Sequence, residues 1–299
     1  MESISVNCER ESKGRANTMK RAGLFIIFIL LYFFCSNPLK DQERGFEFSI
    51  VDVGQGLCQI GVSGGDAIIW DLGPPGGYEG FRRVYMDAGM PQVKSIVISH
   101  RDLDHSGGLS KLDTLIKWSG LLITSKYEDT SYLRSLYSGE YGPIHIRTVS
   151  EGDTLGGLDD VSITCIWPPD SIDKSFPVRD EYVNRYSLAF LVRHFNTQVV
   201  ITSDIDSVAQ RMIAVSYGTS LKSDIAVVAH HGSAGSVSAL FSGYVGAELA
   251  VISCSRENQY GHPHDEALSM IMHSGSALAI TSLEGTIILH SNGYYFVRE

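Results

Sequence analysis

The sequence predicts an α/β fold: an αββα sandwich built as a single domain. Three observations predict it. Short apolar runs are closed again and again by Gly, Asp or His, the pattern of strands whose C-terminal ends carry polar side chains. The chain falls into two halves, each β-rich and then mixed β/α, which suits two sheets packed face to face with helices outside. No Pro/Ser-rich linker or charge run interrupts residues 45–299, and the Pro168-Pro169-Asp170 to Arg179 segment reads as a surface loop within one domain.

The elements follow in order. Phe46–Val53 reads as a strand turned by Gly54-Gln55-Gly56. Leu57–Val62 and Ala67–Trp70 form a meander broken at Ser63-Gly64-Gly65, with Asp71 at its exit. Val93–Ser99 is a continuous apolar run, as a strand covered on both faces would be, and it ends in His100. Residues 107–118 have helical spacing, Leu121–Thr124 reads as a strand, and a helix is expected between Lys126 and Tyr141. Ser187–Arg193 and Gln198–Thr202 make a hairpin leading to Asp204. Ser207–Tyr217 reads as a helix, Ile225–Ala229 as a strand ending at His230, and Leu249–Ser253 as another strand. Asp265–His273 is a helix, with Ala277–Thr281 and Thr286–Leu289 as closing strands.

Composition bounds the function. A chain of 299 residues that is 43% hydrophobic and 10% aromatic can fill a sizeable core, which excludes disordered, fibrous and disulfide-stapled classes. Lys+Arg 24 against Asp+Glu 34 gives a net charge of -10, which disfavours a broad basic face along a nucleic-acid backbone. The cysteines Cys8, Cys35, Cys58, Cys165 and Cys254 form no CxxC pair, so a zinc ribbon or redox motif is excluded and buried thiols are expected. The sequence sets no oligomeric state.

Lys20-Arg21, the apolar run 22–35 and Ser36-Asn37-Pro38 follow a signal-peptide plan. The run is shorter than the ~20 apolar residues of a bilayer span, so it reads as a signal peptide or a marginal membrane anchor. Residues 1–18 are expected to be an over-called start or a cytosolic extension ahead of Met19, residues 19–44 the signal or anchor, and residues 45–299 the domain. The expected location is extracytoplasmic, in the periplasm or at the cell surface, secreted or anchored through residues 20–37. Cys35 at the end of the run invites a lipoprotein reading, but Tyr32, Phe33 and Phe34 before it are bulky where such processing needs small residues, which weighs against lipidation without deciding it.

Chemistry concentrates in Ser99-His100-Arg101-Asp102-Leu103-Asp104-His105-Ser106-Gly107-Gly108, where two imidazoles and two carboxylates follow a buried strand. Burying unpaired carboxylates is costly, so such a cluster calls for a cation. Its mixed N/O donors without thiolate suit zinc or manganese. Further polar strand ends follow: Asp204, His230-His231-Gly232-Ser233, and His262 in Tyr260-Gly261-His262-Pro263. Taken singly, Asp204 is equally a helix N-cap and each histidine equally a core or loop contact; together they point to one site. Ser99 and Ser233 lie near it but lack a Gly-x-Ser-x-Gly elbow, which weighs against a serine hydrolase.

These strings, with Asp52-Val53-Gly54-Gln55-Gly56, resemble the metallo-β-lactamase-like domain of ComEC-type competence proteins over about residues 46–290. The resemblance implies a metallo-β-lactamase sandwich with two divalent ions. His100 and Asp102 would hold one, Asp104 and His105 the second, Asp204 would bridge both, and His262 would be the last ligand of the second. His230 or His231 would be a ligand or would polarise or protonate the reacting group, and Asp71 would orient a ligand histidine. The chain departs from the commoner pattern in carrying Asp102 where a histidine is usual and Ser203 before Asp204. It offers only Asn184 or Ser187 as a third ligand of the first ion, since His145 and His194 read as solvent-facing. The resemblance further implies an exported hydrolase, foremost a phosphodiesterase on nucleic acid or an envelope phosphodiester, with Asp104 and Asp204 steering the nucleophile. The alternatives are a lactone or ester hydrolase of the same fold, or a non-catalytic metal-stabilised binding module.

Overall fold

The computed structural model describes residues 45–137, 139, 142–171 and 183–299. The readings made on residues 1–44 lie outside the described residues, as does most of the expected loop 170–179. Among the described residues, no helix is long and apolar enough to cross a membrane.

The chain opens with the antiparallel meander β1 (Phe46–Ile50), β2 (Cys58–Ser63) and β3 (Asp66–Leu72). Helix α1 (Tyr78–Asp87) leads to β4 (Gln92–Ile98), a short α2 (Leu103–Ser106), β5 (Leu121–Ser125), α3 (Thr130–Leu136) and β6 (His145–Val149). Then come β7 (Thr154–Leu155), β8 (Val161–Trp167), β9 (Ala189–His194), β10 (Thr197–Ile201) and α4 (Ser207–Tyr217). The series closes with β11 (Ile225–Val227), α5 (Ala239–Val245), β12 (Leu249–Ile252), α6 (Asp265–Ser274), β13 (Ala277–Ile280), α7 (Thr281–Glu284), β14 (Ile287–Ser291) and β15 (Phe296–Arg298). One eight-stranded sheet has the order β15-β14-β1-β2-β3-β4-β5-β6, and a seven-stranded sheet has the order β13-β12-β11-β10-β9-β8-β7. Strands β3 to β6 run parallel, as do β10 to β13.

The layers follow from alternation along the strands. On β3, Ile68 and Trp70 point between the sheets, where they meet Phe48, Phe190, Ile201 and Val227. Ile69 points outward, under Phe81 and Tyr85 of α1. Both faces are covered, which is why this strand reads as an unbroken apolar run. On the other side, Ala209 and Ile213 of α4 and Phe241 of α5 cover Val200. The result is the expected αββα sandwich, and Arg44–Glu299 form one compact unit.

Three differences from expectation have physical causes. The helical spacing of residues 107–118 yields only a 3-10 turn, Gly107–Lys111. Leu109, Leu112, Ile116 and Trp118 are all buried, but Gly107-Gly108 and Asp113 are poor helix formers and the segment wraps irregularly over the sheet. Helices α1 and α5 and strands β6 to β8 do not show in the sequence pattern, because glycines inside Tyr78–Asp87 and Ala239–Val245 hide the period and exposed polar residues interrupt the strands, and α2, α7 and β15 are too short to show one. His194 is buried rather than solvent-facing, because the β9–β10 hairpin ends inside the inter-sheet layer with its Nδ1 2.9 Å from Ser291 Oγ. His145 is exposed, and Cys58, Cys165 and Cys254 are buried free thiols.

Candidate metal centre

The parallel blocks of both sheets deliver their strand ends to one edge. From the first sheet, β3 brings Asp71 and β4 brings Ser99 and His100, while α2 carries Asp104 and His105. From the second, β10 leads to Asp204 and β11 to His230 and His231. The cap of α4 is Asp206, whose Oδ1 accepts from Val208 N at 3.0 Å and Ala209 N at 2.8 Å. Asp204 is thereby left for the site, and its backbone N donates to Ser187 Oγ at 3.2 Å.

A polar chain behind the site sets the histidine tautomers. Asp71 accepts from Ser99 N at 2.7 Å and from Ser99 Oγ at 2.8 Å. Its Oδ2 also accepts from His105 Nδ1 at 2.8 Å. With its proton committed to Asp71, Ser99 Oγ accepts from His100 Nδ1 at 3.0 Å. His231 Nδ1 donates to Ser253 O at 2.8 Å. In all three rings the proton is on Nδ1, so the Nε2 lone pairs face the edge bare. None of these three Nε2 atoms, all buried, has a hydrogen-bond partner, nor does Asp204 Oδ1.

These atoms nevertheless crowd together. His105 Nε2 lies 3.1 Å from Asp204 Oδ1, and His231 Nε2 lies 3.3 Å from Asp104 Oδ2 and 3.7 Å from Asp204 Oδ2. Nitrogen and oxygen approach side by side without hydrogen-bond geometry, as ligand atoms aimed at a common point do. Two sets have ligand atoms within 4.8 Å of one another: His100, His105 and Asp204, and Asp104, His105 and His231. The donor set fits a divalent cation of the zinc or manganese kind, because an empty cluster would leave buried donors unsatisfied.

Electrostatics agree. Burial works against charge on Asp204, but positive charge on His105 and His231 beside it holds its carboxyl well below the usual range, the charge that a bound cation would supply in their place. Burial likewise opposes ionisation of Asp104, yet the close approach of His231 and the nearby His105 bring it down to about 2. Burial pushes His262 down to about 4, with His230 and His231 adding to it, so this ring is neutral at neutral pH.

The remaining expected residues stand around this cluster. Asp102 is half exposed at the rim, its Oδ2 3.5 Å from His100 Nε2, and belongs to neither set. His230 Nε2 lies 3.6 Å from Asp204 Oδ2, and Asn184 Nδ2 sits 3.3 Å from the same nitrogen. The His262 ring centroid is 5.6 Å from that of His230 and 6.1 Å from that of His231; its buried Nδ1 is also unpartnered. Ser99 and the Ser253 carbonyl set the tautomers, roles that sequence reasoning missed. The adjacency of Ser99 to His100 was the one available signal. His230 and His231 both have left-handed backbone, φ 51° and 55°, a strained turn that aims the two rings differently.

The fold and its edge cluster define a protein of metallo-β-lactamase fold. Among solved structures, YhfI from Bacillus subtilis, itself described as a metallo-β-lactamase fold protein, superposes over 82% of this chain and 100% of its own with a TM-score of 0.53 at 12% identity. Igni18, a metallo hydrolase from Ignicoccus hospitalis, covers 82% of this chain and 98% of its own with a TM-score of 0.52 at 12% identity. By sequence the chain is similar to competence protein ComA of Neisseria gonorrhoeae, 24% identical over 87% of this chain and 34% of that protein. It is also similar to ComE operon protein 3 of Bacillus subtilis, 26% identical over 67% of this chain and 25% of that protein. The chain thus spans about a quarter to a third of the length of these relatives. No protein-family model matches it.

Proposed function

We propose that this protein is a metal-dependent hydrolase that cleaves phosphodiesters, of nucleic acid or of the cell envelope, outside the cytosol. The observation that carries the reading is the set of three buried imidazole nitrogens, on His100, His105 and His231, held bare and turned toward the carboxylates of Asp104 and Asp204. The similarity to competence proteins and the fold shared with a metallo hydrolase support it. The residues that would hold two zinc or manganese ions are His100, Asp104, His105, Asp204 and His231, with Asp102 and His262 at the rim to complete the sets. When bound, such ions supply Lewis acidity that activates water near neutral pH and neutralises phosphate oxygens.

The chain's own groups do the rest. Asp104, ionised at neutral pH, accepts a hydrogen bond from the attacking water and orients it. His230, which Asn184 touches, and the neutral His262 flank the site and are placed to hydrogen-bond a phosphoryl oxygen or leaving group. The groove beside them is lined by Gln55, Asp102, Asn258, Gln259 and Tyr260, a polar wall with one aromatic face. Asn258 fixes that wall by accepting from His262 N at 2.9 Å and donating to His262 O at 2.7 Å. The apolar N-terminal run 22–35 supports placing the domain across or against a membrane from the cytosol.

Metal-loaded protein should hydrolyse bis-p-nitrophenyl phosphate, and Asp104→Ala should abolish that activity. Equal activity in the mutant overturns the site assignment. Metal content near two equivalents without hydrolysis of this ester or of p-nitrophenyl acetate makes the protein a metal-stabilised binding module.

A further inference from the structure

At the strand ends opposite the metal centre, two hairpin tips abut. The β9–β10 turn carries Phe195, and the β14–β15 turn carries Tyr294 and Tyr295. These three aromatics are 49%, 77% and 57% exposed. The tips are locked together: Asn196 N donates to Gly293 O at 3.0 Å, and a Cβ on Gly293 would lie 2.7 Å from Phe195 Cδ2, so only glycine lets the ring seat there. Beneath them Ser291 Oγ meets His194 Nδ1 at 2.9 Å and Thr197 Oγ1 at 2.7 Å, joining the two sheets. Phe195 also has left-handed backbone, φ 52°, where a bulky side chain is disfavoured and glycine or asparagine is usual. A large exposed ring is thus kept at a position whose backbone disfavours it, and scattered surface hydrophobics do not account for three aromatics in two interlocked turns.

The described residues begin at this same edge. Strand β1 starts at Phe46, which pairs with Ser291 in register and whose ring lies 5.9 Å from that of His194. Residues 36–45 therefore link the apolar run 22–35 to the aromatic edge. Such a run, shorter than the ~20 residues of a full span, is a marginal anchor, and stable attachment takes a second membrane contact. Tyrosine and phenylalanine at tips favour the headgroup layer, where one end of the ring is apolar and the other wet.

We propose that the edge formed by Phe195, Tyr294 and Tyr295 rests in the interfacial layer of the bilayer that holds the N-terminal run. The inference rests on reading residues 20–37 as a retained anchor. The metal centre then opens at the far ends of the same strands, toward the aqueous phase. With a net charge of -10 the chain as a whole is repelled by anionic lipid, so the contact is with zwitterionic headgroups and acyl boundary.

The full chain, reconstituted in phosphatidylcholine vesicles with brominated acyl chains, tests this. Tryptophan is placed separately by Phe195→Trp, Tyr295→Trp and, on the metal-centre edge, Leu283→Trp; Tyr295→Trp is the conservative exchange should Phe195→Trp fail to fold. Loss of the added fluorescence in brominated vesicles is expected for the first two variants and not for Leu283→Trp. Failure of the chain to float with vesicles overturns both the anchor reading and this inference. Flotation without quenching at 195 and 295 overturns this inference alone. A blue shift at those positions that grows with protein concentration in the absence of lipid overturns it in favour of a second copy of the chain.

Discussion

Gly56 lies directly under the backbone carbonyl of Asp104: a Cβ on Gly56 would come within 2.4 Å of that oxygen, and Leu57 N donates to it at 3.0 Å. The Gly54-Gln55-Gly56 turn is therefore the floor of the loop that presents Asp104 and His105. Gly56→Ala should lift that loop, lower bound metal and destabilise the fold by about 1–3 kcal/mol. Gly76, with nothing within 4 Å of its Cβ position, is the control, and Gly76→Ala should be near neutral. Urea unfolding and elemental analysis of both variants check this, and equal effects would refute the close-approach argument.

Asp71 holds the tautomers of two histidines at once, His105 directly and His100 through Ser99. Asp71→Asn offers an amide where three donors, Ser99 N, Ser99 Oγ and His105 Nδ1, expect a carboxylate. Metal affinity should fall by roughly 10–100-fold. Competition titration against a chromophoric chelator measures it, and an unchanged affinity would remove Asp71 from the site.

Asp204 and Asp206 are two residues apart and do different work. Asp206→Ala removes a helix cap and the acceptor of Arg185 Nε at 2.8 Å, so it should cost about 1 kcal/mol of stability while leaving metal content intact. Asp204→Ala should lose bound metal. Thermal unfolding paired with elemental analysis separates the two, and the reverse pattern would exchange their assignments.

Burial pushes the Cys165 thiol up to about 12 and the Cys58 thiol well above its usual value, the latter with help from the Asp71 charge. A raised pKa means less thiolate at a given pH, and thiolate is the reactive form. At pH 8 both should resist a maleimide in the native protein and label fully in guanidinium. Peptide mapping reads this directly; rapid native labelling of either peptide would contradict the packing described.

The sandwich and most of its strands were legible because strands such as β3 and β4 are covered on both faces and so carry apolar residues on both. His100 to His105 was legible because so dense a cluster of donors has no cheap structural explanation. The choice between His230 and His231 was not, since only the strained turn decides which ring meets Asp104. Nor could the sequence separate the cap Asp206 from Asp204, because both follow a strand and precede the same helix. His194 was misread as exposed because its strand alternates normally until the hairpin tip meets Ser291 on the other sheet, a contact 97 residues away in the chain.

Each ligand set draws on both sheets: His100 and His105 come from the first and Asp204 from the second, as Asp104 and His105 meet His231. A folding chain with one sheet formed carries an incomplete chelate. The complete donor set therefore exists only in molecules whose two sheets have closed in the correct register, so the cluster is a marker of correct assembly.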